Sequence, residues 1–209
     1  MAQRFVTRGF AGRRSAPEAG GGEPARIPPG QYLTTDFPVL SAGPTPRIPL
    51  ERWSFTIDGL VGKPVRWDWT SFRALPSRDW VVDISCVTKW TKLDMRWHGV
   101  GVDTLLEHVE IDPAAAYVIA WSEGGYTTNL PLGDVLNGQA FVAWEYDGTP
   151  LSAEHGGPAR LVVPGRYFWK SAKWIQGLRI QAEDEPGFWE SFGYHNRGDQ
   201  WREERYSGD

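Results

Sequence analysis

Cys86 is the only cysteine in this chain of 209 residues, and it ends a short β-branched run, Trp80-Val81-Val82-Asp83-Ile84-Ser85. One sulfur excludes an internal disulfide and any zinc or iron–sulfur site that needs several thiolates. Taken alone it is either a small buried hydrophobe or a thiol nucleophile. The nucleophile needs a neighbouring base and an oxyanion hole, and no local motif signals either. Downstream, the cations Arg160, Arg166, Lys170 and Lys173 gather with His155 around Gly156-Gly157-Pro158 and Pro164-Gly165. One at a time these are surface charges and a turn. His98 and His108 belong to no ligand-spaced cluster, and Trp90, Trp169 and Trp174 read as core or pocket wall.

The elements that must hold these residues are mostly strands. Alternation marks Trp53–Ile57 before the Asp58-Gly59 turn, and Pro64–Trp67 after it. Tyr117–Ser122 and Tyr126–Leu130 flank Glu123-Gly124-Gly125, a hairpin signal. Further strands fit Trp80–Ser85, Ala140–Tyr146, Ala159–Val163 and Lys173–Gln181. Helices are short: Asp103–Val109, with Asp103 placed to cap it or favour its dipole, and one or two turns at Thr70–Leu75 and Leu132–Leu136. The expected class is α+β, a strand-rich mixed fold whose Gly- and Pro-rich connections carry the site.

With 41% hydrophobic and 23% charged residues and a net charge of −4, the composition is that of a globular protein with a sizeable core. It lacks the strongly basic face that nucleic-acid binding requires. No apolar run approaches the roughly 18 residues of a membrane span. Arg13-Arg14 suggests an export signal, but Ser15–Gly22 supplies no apolar segment behind it, so a cytoplasmic location is expected. Residues 1–26 read as a flexible Gly/Ala/Arg tail, 30–195 as one domain, and 196–209 as a C-terminal tail.

Two segments, joined in order, carry a resemblance. Asp83-Ile84-Ser85-Cys86-Val87-Thr88-Lys89-Trp90 is a strand ending in Cys-Val-x-x-Trp. His155-Gly156-Gly157-Pro158-Ala159-Arg160-Leu161-Val162-Val163-Pro164-Gly165 runs on to Lys170-Ser171-Ala172-Lys173-Trp174. Together they resemble the molybdopterin-binding domain of the sulfite oxidase family, including its methionine-sulfoxide-reductase branch. Thr34–Leu40 and Gly187–Asn196 echo the small bacterial members, so the resemblance spans about residues 32–205.

The resemblance implies a molybdenum–molybdopterin cofactor with a bare pterin, Cys86 as the only protein ligand to the metal, and two-electron oxygen-atom transfer to or from a small sulfite- or sulfoxide-like substrate. A soft thiolate completing a shell begun by two pterin sulfurs explains how a lone cysteine suffices. By the same resemblance His155, Arg160 and Lys173 hold the pterin and its phosphate, with backbone N–H groups of Ser171 and Ala172 forming a nest. Ser122, Thr35, Pro38 and Val39 are further cofactor contacts. Lys170 stands where sulfite oxidases carry an arginine and is the expected substrate-facing catalytic cation, with Lys89 and Arg166 adding positive charge. No haem motif is present, so a separate electron-transfer partner is expected. Two alternatives remain: a molybdopterin carrier without turnover, and a cysteine hydrolase.

Overall fold

The computed structural model describes residues 26–209, so the expected N-terminal tail lies outside the described residues except for Arg26. Two sheets make the domain. The first has six strands: β1 (Tyr32–Leu33), β4 (Arg78–Ser85), β5 (Trp90–Gly101), β8 (Phe141–Tyr146), β9 (Thr149–Pro150) and β10 (Arg160–Val162). The second has five, ordered β3 (Val65–Asp68), β2 (Ser54–Gly59), β11 (Ile175–Gln181), β6 (Tyr117–Ser122) and β7 (Thr127–Pro131). Helices α1 (Trp69–Arg73) and α2 (Val102–Leu106) are single short segments, as α+β patterning with few helices requires.

Strand periodicity explains why the first sheet is buried on both faces. On β8, Val142 and Trp144 point to one side and Phe141 and Ala143 to the other. On β10, Leu161 and Val162 divide in the same way. The first side packs against Phe55, Ile57, Val118, Ala120, Leu178 and Ile180 of the second sheet, forming the main core. The opposite side forms a second, aromatic-rich core that includes Cys86, Trp90, Trp97, Tyr167 and Trp169. Cys86 therefore lies in a distinct compartment behind the sheet.

The longest strand, β5, was not among the expected ones. It carries Lys92, Asp94 and Arg96, and its alternation is broken twice: Asp94 takes a positive φ of 53°, and the register with β8 shifts between His98 and Gly99. Gly99 allows the shift, since a Cβ there would fall 2.1 Å from the Val142 carbonyl oxygen.

Of the two roles open to Asp103, the structure shows the second: the N-cap of α2 is Gly101, and Asp103 lies in the first turn, where its charge favours the helix dipole and its carboxylate accepts the backbone N–H groups of Asn137 and Gly138. Residues 196–209 do not form a free tail. Gln200, Glu204 and Arg205 are buried, and bridges Arg166–Asp199 and Tyr194–Tyr206 fasten the segment to the domain.

Candidate functional site

Cys86 sits in the four-residue turn that joins β4 to β5. Its carbonyl accepts the Lys89 N–H at 2.9 Å, and Lys89 closes the turn with a φ of 75°. Gln31 holds the same carbonyl from the other side at 3.2 Å. The sulfur is buried, and Thr88 Oγ1 donates to Sγ at 3.2 Å. Burial pushes the thiol pKa up, while the Thr88 hydroxyl, the backbone N–H groups of Thr88 and Val87, and Lys173 pull it down.

Arg160 begins β10 and is almost fully buried. Its two terminal nitrogens donate to the carbonyls of His155 and Ser171, each at 2.8 Å, and its guanidinium lies 4.0 Å from the centre of the Phe168 ring. Lys173 Nζ donates to the carbonyls of Leu40 and Glu154, each at 2.7 Å. Neither cation has a carboxylate within ion-pair distance among the described residues. Burial accordingly pushes Arg160 down to about 9 and, with help from Arg160, pushes Lys173 down to about 7. His155 is lowered to about 4 by burial and then by the same two cations, which keeps it neutral near pH 7.

The arrangement is a partly buried positive region beside a thiol, and among the described residues it is held by neutral carbonyls and rings. Gly156 makes it possible. Its φ is 107°, and a Cβ there would come within 3.0 Å of Lys173 Cα and Cβ and 3.1 Å of Arg160 Cβ. Such a region is completed by an anion. It fits a phosphate-bearing group with soft sulfur donors, since Cys86 offers one thiolate. Among the described residues no three His, Cys, Asp or Glu side chains cluster to hold a metal on their own.

The remaining expected residues fall into three groups. The segment 35–40 crosses the cluster: the Thr35 carbonyl accepts Lys92 Nζ, Phe37 stacks on His155 at 3.7 Å, and Leu40 holds Lys173. Pro38 and Val39 lie between these anchors, and Val39 is exposed. Ser122 ends β6 opposite Ile175, and its buried hydroxyl has no hydrogen-bond partner among the described residues. Ser171 and Ala172 adjoin Arg160; the Ser171 N–H is donated to the Phe168 carbonyl, and its hydroxyl accepts the Val163 N–H.

Lys170 is elsewhere. Its side chain is fully buried, paired with Glu190 Oε1 at 2.6 Å, and it donates to Asn129 Oδ1 and to the carbonyls of Asn129 and Asn196. Trp169 Nε1 and Thr128 Oγ1 share the same Glu190 oxygen. A cation enclosed in this way has no face to offer a substrate; it fastens the C-terminal segment to β7. Arg166 is likewise engaged, with Asp134 at 2.7 Å and Asp199 at 3.4 Å. Phe37 and Thr88 were not expected at the site. Tyr194 lies close enough to Cys86 for the two to interact electrostatically. Aromatic and hydroxyl residues carry no charge pattern that would have marked them in the sequence.

Comparison with known proteins adds independent support. Residues 42–189 match the family model described as the oxidoreductase molybdopterin binding domain. An uncharacterized oxidoreductase, YuiH, of Bacillus subtilis is 43% identical over 88% of this chain and 93% of its own length. The protein-methionine-sulfoxide reductase catalytic subunit MsrP of Gluconobacter oxydans is 29% identical, over 66% of this chain and 49% of its own. The chain thus spans about half the length of that relative. Among solved structures, the sulfane dehydrogenase SoxCD of Paracoccus pantotrophus shares the fold, with a TM-score of 0.61 at 23% identity over 66% of this chain and 40% of its own.

Proposed function

The chain belongs to the oxidoreductase molybdopterin-binding domain family, and from that premise we propose that Cys86 ligates molybdenum while Arg160, Lys173 and His155 hold the pterin. The chain is a molybdopterin-dependent oxidoreductase domain of the sulfite oxidase-like type. One observation carries the residue assignment: a buried arginine and a half-buried lysine beside the only cysteine, with no carboxylate at ion-pair distance among the described residues. When bound, the cofactor supplies two-electron oxygen-atom transfer at the metal. Oxidising a substrate this way takes an oxygen from water and releases two electrons and two protons; reduction reverses the balance.

The chain's own groups do the rest. Arg160 and Lys173 neutralise the phosphate and, with Gly156 giving them room, fix its position. His155, neutral and stacked on Phe37, offers a ring nitrogen to the pterin without adding charge. The Ser122 hydroxyl, without a hydrogen-bond partner among the described residues, is a further hydrogen-bonding group for the same ligand. Thr88 orients the sulfur. The aromatic wall of Trp90, Trp97, Tyr167 and Trp169 excludes water from the thiolate side.

The substrate is a small sulfur- or nitrogen-oxo compound, a reading supported by the sulfoxide reductase name of a relative. Electrons pass to or from a separate carrier protein, which fits that relative being named as a catalytic subunit. A single thiol and no disulfide suit a reducing, cytoplasmic compartment, which cell fractionation reads directly.

The deciding experiment measures molybdenum and released pterin in protein purified from a molybdopterin-producing host, beside Cys86→Ser. One metal and one pterin per chain, with the metal lost or its spectrum changed in the variant, is expected. Pterin without molybdenum turns the chain into a carrier. Neither, with a control enzyme loading normally, overturns the assignment.

A further inference from the structure

Gln31 reaches the Cys86 turn from a different part of the chain. Pro28-Pro29-Gly30-Gln31 is itself a turn, closed by the Gln31 N–H on the Pro28 carbonyl at 3.3 Å, with Gly30 supplying a φ of 68°. The chain continues as β1 beside β5, where the Tyr32 N–H donates to the Lys89 carbonyl at 2.8 Å and the Thr34 N–H to the Thr91 carbonyl at 2.9 Å. From the C-terminal segment, Arg205 donates to the Pro29 carbonyl at 3.4 Å and lies over the Tyr167 ring. The backbone on both sides of Gln31 is thereby fixed, and its side chain is buried.

The amide of Gln31 joins two groups. Its Nε2 donates to the Cys86 carbonyl at 3.2 Å. Gln31 Oε1 and the Tyr167 hydroxyl are both buried, with no other hydrogen-bond partner among the described residues. Burial raises the Tyr167 phenol to about 12, against the pull of Arg205 and of the Gln31 side chain at hydrogen-bonding range. A phenol both donates and accepts, so it can meet Oε1 or the second N–H of Nε2. Either bond fixes the plane of the amide and relieves the desolvation cost of an unmet buried group.

What Gln31 holds bears on the sulfur. The Cys86 carbonyl and the Val87 N–H belong to one peptide unit, whose planarity turns them in opposite directions. That N–H, like the N–H of Thr88, favours the charged form of the Cys86 sulfur. On the far side, the carbonyl accepts from both Gln31 and the Lys89 N–H, which uses both of its lone pairs. The unit cannot rotate without breaking these bonds, and a donor at the carbonyl polarises the N–H of the same peptide.

We propose that Gln31, steadied by Tyr167, is a positioning residue for the molybdenum ligand: through the Cys86–Val87 peptide it keeps a backbone donor on the sulfur and so tunes the metal. The inference rests on the assignment of Cys86 as the metal ligand.

The test is a spectroscopic redox titration of the cofactor-loaded full chain, with molybdenum and pterin measured in every preparation. A sulfur with a weaker donor is richer in electrons and favours the oxidised metal. Gln31→Met keeps the length of the side chain and removes the amide, and so should lower the midpoint potential. About a threefold shift of the one-electron equilibrium, roughly 28 mV, is expected. Tyr167→Phe deletes one oxygen and should shift the potential the same way by less. The double variant should match Gln31→Met, because Tyr167 acts through Gln31. A merely structural role would lower the urea midpoint and leave the potential unmoved. Parent potentials in both single variants at normal metal content, or shifts that add in the double variant, would overturn the proposal and leave the cofactor assignment standing. If Gln31→Met does not fold, Tyr167→Phe decides, and an unmoved potential there overturns the proposal. Absent molybdenum in the parent chain would overturn the assignment and the proposal together.

Discussion

Thr88 Oγ1 donates a hydrogen bond to Cys86 Sγ at 3.2 Å, from the second residue after the cysteine in the same turn. A donor on a metal-bound thiolate draws electron density off the sulfur and so favours the reduced metal. Thr88→Val keeps the shape and removes the donor. It is expected to retain molybdenum and pterin while shifting the metal's midpoint potential to more negative values in a spectroscopic redox titration. Thr88→Ser should restore the parent value. Because Thr88 is exposed, thermal stability should move by no more than about 0.5 kcal/mol. An unchanged potential in the valine variant would remove Thr88 from the site.

Lys170 gives a prediction in stability rather than catalysis. Lys170→Met strands Glu190 as an unpaired buried carboxylate and should cost about 3–5 kcal/mol in urea unfolding. The double variant Lys170→Met/Glu190→Gln removes both charges and should recover most of that loss. In the folded fraction, the substrate KM should stay close to the parent value. A KM that rises steeply with little loss of stability would return Lys170 to the substrate.

These two residues show what the sequence made legible. Cys86, His155, Arg160 and Lys173 lie in short local motifs, and the chain brings them together through one turn and one loop that the motifs themselves contain. The strands were readable wherever apolar residues alternate without interruption, as in Tyr117–Ser122, which agrees with β6 residue for residue. Strand β5 was hidden because a bulge and a positive φ break its alternation among charged residues. Lys170 was misleading for a different reason. Its charge is read from the chain, but the carboxylate that consumes it comes from a loop beyond β11, and pairing across distant segments leaves no local pattern. The packed C-terminal segment was hidden likewise, since its polar residues are buried by partners such as Arg166 and Tyr167 rather than by their own hydrophobicity.

The His155 ring sets an acid limit on the cofactor-free protein. Its pKa falls from 6.5 unfolded to about 4 folded, so between those values the unfolded chain binds a proton that the folded chain does not. The stability linked to His155 is complete above about pH 6.5 and is lost as pH falls toward 4. Melting temperatures across that window should drop in the parent chain and drop less in His155→Gln, which cannot take up the proton. Parallel curves would show that His155 titrates normally.

Lys173 yields a dependence of the same sign at higher pH, one that a ligand can reverse. Without an anion its pKa lies near 7, because burial and Arg160 disfavour the charge more than Glu154 and Cys86 support it. Against an unfolded value of 10.5, stability linked to Lys173 rises with pH between about 7 and 10.5, and the full cost of the buried charge is felt below that window. A bound phosphate reverses the balance by stabilising the ammonium form. Inorganic pyrophosphate should therefore raise the melting temperature of the cofactor-free chain more at pH 6 than at pH 9, with net proton uptake on binding measurable by calorimetry in two buffers near pH 8. Lys173→Met should be more stable than the parent chain at pH 6 without ligand and lose most of the pyrophosphate response. Gly156→Ala separates position from charge: it keeps the cation but drives a Cβ against Lys173 and Arg160, and so should lose the response while retaining both charges. A full response in both variants would place the anion somewhere other than this cluster.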